Sequence, residues 1–190
     1  IEEKFDILGY VTSKKMTKNM PTNKKIYSLT KNNLLKITNN ESFFSIIAIG
    51  DNMNRKKIFN NIKKFNLKIK WLSIISPNSI ISKDVIIGEG SLVMPGCIIN
   101  NGTRIKDHCI INTGSIIEHD NYFDNFSSCG PGVVTGGNVR VGESSYIGIG
   151  SVVKEKIMVD NNVFIGGNSF INKNCKKNSL YYGNPIKLIS

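Results

Sequence analysis

A period of six residues dominates this sequence. From Ile75 to Lys176 the chain divides into 17 consecutive six-residue units without an insertion. Fifteen of the 17 first positions are Ile, Val or Phe, and most fifth positions carry a small residue. Burial recurs every 3.6 residues in a helix and every 2 in a strand, so neither element explains this period. A short strand followed by a turn does explain it, and three such units close a triangular coil of 18 residues. The repeat predicts a parallel β-helix.

The same register assigns a place to each kind of residue. Each large first residue is expected to stack on its equivalent in the next coil, while the small fifth residue lies near a corner. Gly and Asn recur at second positions, where we expect them to accept the turn dihedrals that other residues resist. The four cysteines, Cys97, Cys109, Cys129 and Cys175, fall at small inward positions and form no CxxC pair. This pattern predicts a reducing cytosol and disfavours zinc ligation.

Ahead of the repeat, residues 1–74 have the pattern of a small α/β domain. Phe5–Val11 and Phe43–Gly50 are apolar runs that predict buried strands. The chain opens at Ile1, within what the pattern indicates is a βα unit, so we expect residues upstream of it. The alternation of strand and helix predicts a truncated, Rossmann-like parallel domain.

A helix is predicted next, because apolar residues recur at spacings of four and three after residue 51. Asp51 or Asn52 is expected to cap its start, and Asn66 to end it. The predicted organisation is therefore this α/β domain over residues 1–74, a β-helix over 75–176 and a C-terminal tail over 177–190.

Positive charge is concentrated in the first part of the chain. The formal net charge is +11, and residues 1–74 contribute 15 Lys or Arg against 5 Asp or Glu. Such charge attracts phosphorylated ligands or nucleic acid, although a solvated lysine-rich surface is the plainer interpretation. The aromatic residues are not interleaved with the charge as a base-stacking surface requires, so nucleic acid is disfavoured. No apolar run approaches the roughly 18 residues of a membrane span, and we expect a cytoplasmic protein.

One stretch concentrates titratable groups and breaks the repeat. His119 lies in it, followed by Asn121 at a fifth position where a small residue is usual. The only first positions that are not Ile or Val come just after it and are Phe123, Cys129 and Thr135. With only His108 and His119 in the chain, a three-histidine zinc site is disfavoured, whereas a general base needs one histidine. Gly137 lies one coil after His119, where its N–H can face an oxyanion. A surface histidine and an ordinary glycine corner remain the alternatives.

Several motifs resemble one family. IAIGDN (47–52), INTGSIIEHD (111–120), GPGVVTGGNVRVG (130–142) and GNPIK (183–187) are similar to hexapeptide acyltransferases. The group comprises bacterial sugar-nucleotide N-acetyltransferases and the related sialic-acid O-acetyltransferases. The resemblance covers nearly the whole chain. It implies a left-handed β-helix, a homotrimer that binds acetyl-CoA between neighbouring subunits, and an N-terminal domain that holds a UDP-sugar.

The resemblance also implies roles for individual residues. His119 matches the general base, Asp120 the acidic residue that supports it, and Gly137 the glycine whose N–H binds the thioester carbonyl. The positions that match acetyl-CoA-binding residues are Asn112, Ser128, Gly137, Gly148, Gly167 and Pro185. The positions that match the substrate-binding motif are Asp51, Asn52 and Arg55.

The chain departs from the family in three places. Ser128 stands where the family often has a second histidine, and Thr12 and Ser13 stand where it often has an acidic pair. The family's opening strand and Gly-rich loop are absent from this chain. The sequence thus predicts an acetyl-CoA-dependent enzyme, without a metal, that acetylates the amino group of a nucleotide-linked amino sugar. The alternatives are O-acetylation of sialic acid or another sugar hydroxyl, and a non-catalytic β-helix scaffold.

Overall fold

The computed structural model describes residues 7–12, 24–38 and 42–190. The chain divides into two compact units, one made of residues 1–44 and 61–70 and the other of 45–60 and 71–190. The second unit therefore includes a segment that precedes the repeat. In the described part of the chain, no helix is long and apolar enough to cross a membrane.

Short strands and two helices precede the repeat. They are β1 (Tyr10–Thr12), β2 (Ile26–Ser28), α1 (Lys31–Thr38), β3 (Phe43–Ser45), α2 (Asn52–Lys63) and β4 (Ile69–Trp71). β1 pairs in parallel with β2, and β3 pairs with β4. Of the buried strand predicted over Phe5–Val11, only Tyr10 and Val11 lie in a strand, β1, and they are 38% and 39% exposed rather than buried. Residues 5 and 6 lie outside the described residues. The strand predicted from Phe43 is shorter than expected, and the Rossmann-like architecture stays a prediction.

The caps of α2 agree with the sequence. The Asp51 Oδ1 atom accepts a hydrogen bond of 2.7 Å from the Asn54 N–H, as an N-cap does. At the other end Asn66 adopts a left-handed backbone with φ of 53° and donates its N–H to the Lys63 carbonyl. Asn tolerates this conformation better than most residues, so it ends the helix. Both predicted boundary signals are confirmed.

The repeat folds into a prism with one two-residue strand in each unit. The strands are β5 (Ile74–Ile75), β6 (Ile80–Ile81), β7 (Ile86–Ile87), β8 (Leu92–Val93), β9 (Ile98–Ile99), β10 (Arg104–Ile105), β11 (Ile110–Ile111), β12 (Ile116–Ile117), β13 (Tyr122–Phe123), β14 (Ser128–Cys129), β15 (Val134–Thr135), β16 (Arg140–Val141), β17 (Tyr146–Ile147), β18 (Val152–Val153), β19 (Met158–Val159), β20 (Phe164–Ile165) and β21 (Phe170–Ile171). Each interior strand pairs in parallel with the strand 18 residues away, as Ile110 does with Ser128. The predicted parallel β-helix, with three units per coil, is confirmed.

The strands form three sheets, which we name faces A, B and C. Face A runs from β5 through β8, β11, β14, β17 and β20, and is extended by β22 (Leu180–Tyr182) and the antiparallel β23 (Lys187–Leu188). Face B runs from β6 to β21 and face C from β7 to β19. The turns that join them form three corners. His119 lies on a corner between faces B and C, and Gly167 lies on a corner between faces A and B.

The interior of the prism is a column of mainly apolar side chains, with small polar residues at many fifth positions. The first residues of the units from Val93 to Ile171 are almost fully buried, and Phe123 fills its layer with no exposed surface. The four cysteines are buried and free, as the register predicts. Close packing of this kind makes the column the main source of stability.

The turn dihedrals correct one expectation. In each six-residue unit from Gly90 to Asn168, the residue at the fourth position has a left-handed backbone. The second positions, where Gly and Asn recur, do not. The glycines at second positions serve a different purpose, because a Cβ there would collide with the next coil. At Gly136, for example, a Cβ would lie 2.6 Å from the Glu155 backbone nitrogen. The prediction for second positions was wrong because the sequence does not separate a demand for dihedral freedom from a demand for close approach.

The outer surface of face B is apolar along its whole length. Its outward residues are stacked in register and are Ile80, Ile98, Ile116, Val134, Val152 and Phe170. Ile80 is 69% exposed and Val152 is 43% exposed. A continuous apolar ladder on a surface is typical of an interaction face.

Candidate active site

His119 and Asp120 project from the turn between β12 and β13. The His119 Nδ1 atom lies 2.9 Å from the Asp120 Oδ2 atom, and about half of each side chain is exposed. Asp120 has a left-handed backbone with φ of 57°. An ionised carboxylate only accepts hydrogen bonds, so this contact assigns the proton of a neutral imidazole to Nδ1. The Nε2 atom is then left unprotonated, as a general base requires.

Gly137 lies directly beside the His119 ring in the next coil. A Cβ built on Gly137 would be 2.5 Å from the His119 Nε2 atom, so only glycine lets the ring occupy this position. The Gly137 carbonyl accepts the Lys156 N–H at 2.9 Å, whereas no group among the described residues accepts the Gly137 N–H. One corner thus presents an imidazole nitrogen and an unpaired backbone N–H side by side. The 18-residue coil predicts this proximity.

Most of the predicted acetyl-CoA-binding residues lie at the other edge of face B. Gly148 and Gly167 are stacked, because a Cβ on Gly148 would be 2.5 Å from the Gly167 nitrogen. The exposed Pro185 follows a cis peptide bond near this corner. A surface depression lies there, lined by Gly150, Val152, Asn168, Ser169, Phe170 and Asn184. Apart from Ser128, which is buried in β14 on face A, the predicted residues are therefore split within one chain between two corners that border face B.

Asn112 also lies on the A–B side, immediately after β11. Its side chain is half-buried, and its Oδ1 atom accepts the Thr113 N–H at 2.9 Å. This local hydrogen bond fixes the turn that follows β11. Among the described residues no group accepts a hydrogen bond from its Nδ2 atom, and the role of Asn112 in binding acetyl-CoA stays a prediction.

Arg55 lies inside the protein and is only 1% exposed. Its donors are all engaged: Nε with His108 O (2.8 Å), Nη1 with Ile49 O (2.8 Å) and Gly50 O (3.0 Å), and Nη2 with Asn52 Oδ1 (2.8 Å) and Phe126 O (2.9 Å). Burial lowers the pKa of Arg55 to about 10, which leaves the guanidinium charged at neutral pH. A guanidinium has five N–H groups, and each of them has an acceptor. Arg55 therefore holds the start of α2 against two successive coils.

Asn52 and Ser128 extend this buried network. The Ser128 hydroxyl donates to the Asn52 Oδ1 atom at 2.6 Å, and the Asn52 Nδ2 atom donates to the Ser145 carbonyl at 2.9 Å. Asp51 caps the helix beside them. The roles predicted for Asp51, Asn52, Arg55 and Ser128 in ligand binding stay predictions. What the structure shows is a polar network between α2 and face A, which sequence reasoning missed because the partners are 53 to 93 residues apart.

Several proteins of known structure resemble this chain in sequence and in fold. No protein-family model matches the chain. The acetyltransferase domain of PglB from Neisseria gonorrhoeae FA1090, in complex with acetyl coenzyme A, is 30% identical with a TM-score of 0.82. The match covers 93% of this chain and 84% of that one. This chain belongs to the hexapeptide-repeat sugar N-acetyltransferases.

Two further structures are similar to this chain, and the second of them shows the fold alone. A histidine-to-alanine mutant of GDP-perosamine N-acetyltransferase from Caulobacter crescentus, in complex with CoA and GDP-perosamine, is 26% identical to this acetyltransferase with a TM-score of 0.80. That match covers 87% of this chain and 77% of the other. WeeI from Acinetobacter baumannii AYE, at 21% identity, shares the fold with a TM-score of 0.82 over 95% of this chain and 85% of its own.

The second histidine of this acetyltransferase has a structural position. The His108 ring stacks on Phe126 with centroids 5.0 Å apart and also contacts Phe59 and Trp71 at 4.5 and 5.1 Å. Its Nδ1 atom is buried without a hydrogen-bond partner. Burial lowers the pKa of His108 to about 4, so it is neutral and enclosed at neutral pH. His119 is the histidine that faces solvent.

The cysteines of this acetyltransferase are not placed for nucleophilic chemistry. Burial raises the pKa of Cys109 to about 12 and that of Cys129 to about 11, so both thiols are protonated at neutral pH. The thiolate is the reactive form of cysteine. Across residues 7–12, 24–38 and 42–190, no group of three or more His, Cys, Asp or Glu side chains is arranged to hold a metal ion.

Proposed function

We propose that this chain transfers the acetyl group of acetyl-CoA to the amino group of a nucleotide-linked amino sugar. The observation that carries the proposal is the pair formed by the His119 Nε2 atom and the unpaired Gly137 N–H on one corner. The family supplies the ligand classes: the gonococcal domain binds acetyl coenzyme A, and the Caulobacter enzyme binds CoA and GDP-perosamine.

The proposed mechanism is direct transfer. The acceptor nitrogen attacks the thioester carbon while the His119 Nε2 atom takes a proton from that nitrogen. The carbonyl oxygen becomes an oxyanion and accepts the Gly137 N–H. The C–S bond then breaks, the amide remains on the sugar, and CoA leaves as a thiolate that is protonated from the imidazolium. Asp120 keeps the proton on Nδ1 and stabilises the imidazolium.

The site is proposed to be completed by a neighbouring subunit in a homotrimer. The apolar ladder of face B supports this assembly, because burying it removes a continuous apolar surface from water. The predicted acetyl-CoA residues at the Gly167 corner and the catalytic pair at the His119 corner flank this ladder on opposite sides. Packing the edge of one prism against another brings a Gly167 corner to a His119 corner of the neighbouring copy.

The assembly is tested by Ile98→Lys, which places a charge on the ladder away from the catalytic pair and outside the depression near Gly167. Light scattering coupled to gel filtration is expected to show a trimer for the native chain and monomers for the variant, with the circular dichroism spectrum unchanged. Because the proposed site needs two neighbouring subunits, the rate of thiol release is expected to decrease in the monomeric variant. A monomeric native chain with full activity contradicts the shared site.

The catalytic role is tested by His119→Ala, with His108→Phe as the matched control at the only other histidine. A general base contributes about 10²–10⁴-fold, so we expect a fall of that size in kcat for His119→Ala. Calorimetry is expected to show the native affinity for acetyl-CoA in both variants, and His108→Phe is expected to retain the native rate. A His119→Ala rate above about a tenth of native refutes the role.

The acceptor class is tested with nucleotide-linked amino sugars and sialic acids, with thiol release as the readout. We expect release only with the amino sugars. Release with sialic acid alone overturns the acceptor class and retains acetyl transfer, whereas no acetyl-CoA binding at all leaves only the scaffold alternative.

A further inference from the structure

Asn121 is the polar side chain buried inside the prism at the His119 corner. It is 1% exposed. Its Nδ2 atom lies 2.6 Å from the Glu118 carbonyl, 2.9 Å from the Thr135 hydroxyl and 3.0 Å from the Gly136 carbonyl. Its Oδ1 atom accepts the Val139 N–H at 2.7 Å. Two of the irregular positions in the repeat, Asn121 and Thr135, are thus hydrogen-bonded to each other.

The rest of the repeat shows what an ordinary fifth position does. The Ser91 hydroxyl donates to the Lys106 carbonyl at 2.8 Å and accepts the Cys109 N–H at 3.0 Å. A hydroxyl has a single hydrogen to donate, whereas a side-chain amide has two hydrogens and a separate acceptor oxygen. An amide at this position therefore holds two carbonyls at the same time, where a serine holds one.

The two carbonyls are those that precede the proposed catalytic residues. Glu118 precedes His119, and Gly136 precedes Gly137. The Gly136 carbonyl and the Gly137 N–H belong to one planar trans peptide, in which they point in opposite directions. Asn121 holds the carbonyl inward, and the N–H is thereby directed outward beside the His119 ring.

This peptide needs such a constraint. It joins two glycines, and glycine lacks the Cβ that restricts backbone rotation in other residues. If the peptide rotates, the carbonyl replaces the N–H at the cleft and the oxyanion loses its donor. A fixed donor stabilises an oxyanion without reorganisation during the reaction.

We propose that Asn121 is a positioning residue that sets the orientation of the Gly136–Gly137 peptide and its distance from His119. The inference rests on the function proposed for His119 and Gly137. Asn121 acts through the peptide and does not touch the reacting groups.

The test uses Asn121→Ser and Asn121→Ala, with Ser91→Ala as the matched control. Ser91 occupies the same fifth position on a corner without catalytic residues, so its loss measures the structural effect of removing one such link. Losing one oxyanion donor costs about 10²–10³-fold in kcat, and we expect a fall of about 10- to 100-fold for Asn121→Ser because the donor is misdirected rather than deleted. The KM for acetyl-CoA is expected to stay within about twofold, and Ser91→Ala to retain the native kcat.

Two further readouts separate positioning from stability. The apparent pKa in the pH profile of kcat/KM is expected to be unchanged in Asn121→Ser, because the His119–Asp120 pair is intact. The infrared band of carbonyl-labelled acetyl-CoA bound without acceptor is expected to shift to lower frequency on native enzyme and Ser91→Ala, and to lose that shift in both Asn121 variants. Asn121→Ser remains informative if Asn121→Ala fails to fold.

The outcomes also distinguish this inference from the proposed function. If Asn121→Ser keeps kcat within about threefold of native while His119→Ala collapses it, the positioning role is wrong and the base stands. If Asn121→Ser and His119→Ala both keep the native rate, the proposed catalytic roles of His119 and Gly137 are wrong as well. An equal loss of kcat in Ser91→Ala and Asn121→Ser shows a purely structural effect and also overturns the inference.

Discussion

The buried His108 gives this protein a defined sensitivity to acid. The ring is enclosed by Phe59, Trp71 and Phe126, and its backbone is left-handed with φ of 57°. Phe126 occupies the same fourth position one coil later with φ of 59°, which shows that the turn accepts a phenylalanine ring. His108→Phe therefore removes the titratable group, and its unpaired Nδ1 atom, with little change in shape.

The size of the effect follows from the two pKa values of this side chain. Burial lowers the pKa of His108 from 6.5 to about 4, opposed by the charge of Asp107 and assisted by that of Arg55. Between these values the unfolded chain binds a proton that the folded chain does not, so stability falls as the pH falls. The decrease in the free energy of unfolding is about 2 kcal/mol at pH 5 and reaches roughly 3 kcal/mol below pH 4, where His108 is protonated in both states. Above pH 7 no decrease is expected.

The assay is urea unfolding of native protein and His108→Phe at pH 7.5 and pH 5, at one protein concentration. For each protein we take the change in unfolding free energy between pH 7.5 and pH 5. The other titrating groups are shared by both proteins, so their contributions cancel when one change is subtracted from the other. We expect similar stability at pH 7.5, within about 1 kcal/mol, and an advantage of about 2 kcal/mol for the variant at pH 5. The reasoning is refuted if both proteins lose the same free energy on acidification, or if the His108 NMR resonance titrates near 6.5.

Substitutions at Gly137, at Arg55 and at the Gly166–Tyr182 contact test the packing of the prism. Gly137→Ala puts a methyl group 2.5 Å from the His119 ring, so kcat is expected to fall by about 10²-fold or more; a native rate contradicts the contact. Arg55→Met removes five hydrogen bonds and leaves the buried carbonyls of His108 and Phe126 without a donor, whereas the Asn52 Oδ1 atom keeps its bond from Ser128; it is expected to cost about 3 kcal/mol in urea unfolding. Arg55→Lys, with three donors, should recover only part of that loss. Gly166→Ala places a methyl group within the Tyr182 ring and is expected to lower Tm. In the Tyr182→Ala background, Gly166→Ala should cause a smaller decrease in Tm. If the two substitutions lower Tm additively, the overlap is contradicted.

The fold was predictable because a β-helix repeats its solution in every unit. Ile111, Ile117 and Phe123 occupy equivalent places, so one register determines the coil length and the stacking of residues 18 apart. That same register brings His119 to Gly137. Local signals were also sufficient at α2, where Asp51 and Asn66 carry their capping chemistry in their own side chains.

What could not be predicted depends on contacts that have no period. Arg55 and Ser128 were assigned to ligand binding by resemblance, and nothing near them in sequence shows that their partners are other side chains and carbonyls of the prism. Asn121 and Thr135 were visible as departures from the repeat, but only coordinates show that they bond to each other. Second-position glycines such as Gly136 were misinterpreted, because composition does not tell where a Cβ would meet a neighbouring coil.

The coil also dictates where the chain tolerates a change of length. Duplicating 18 residues near the C-terminal end, beyond Asp160, adds one coil to the prism and leaves every earlier coil in register. An insertion of 18 unrelated residues between His119 and Gly137 keeps the later coils in register but moves these two groups more than one coil apart. An insertion of six or twelve residues that continues the repeat turns the later coils around the axis of the prism by one or two faces. Because His119 and Gly137 must stay one coil apart, the proposed site restricts changes of length in the middle of the prism more strongly than the repeat alone does.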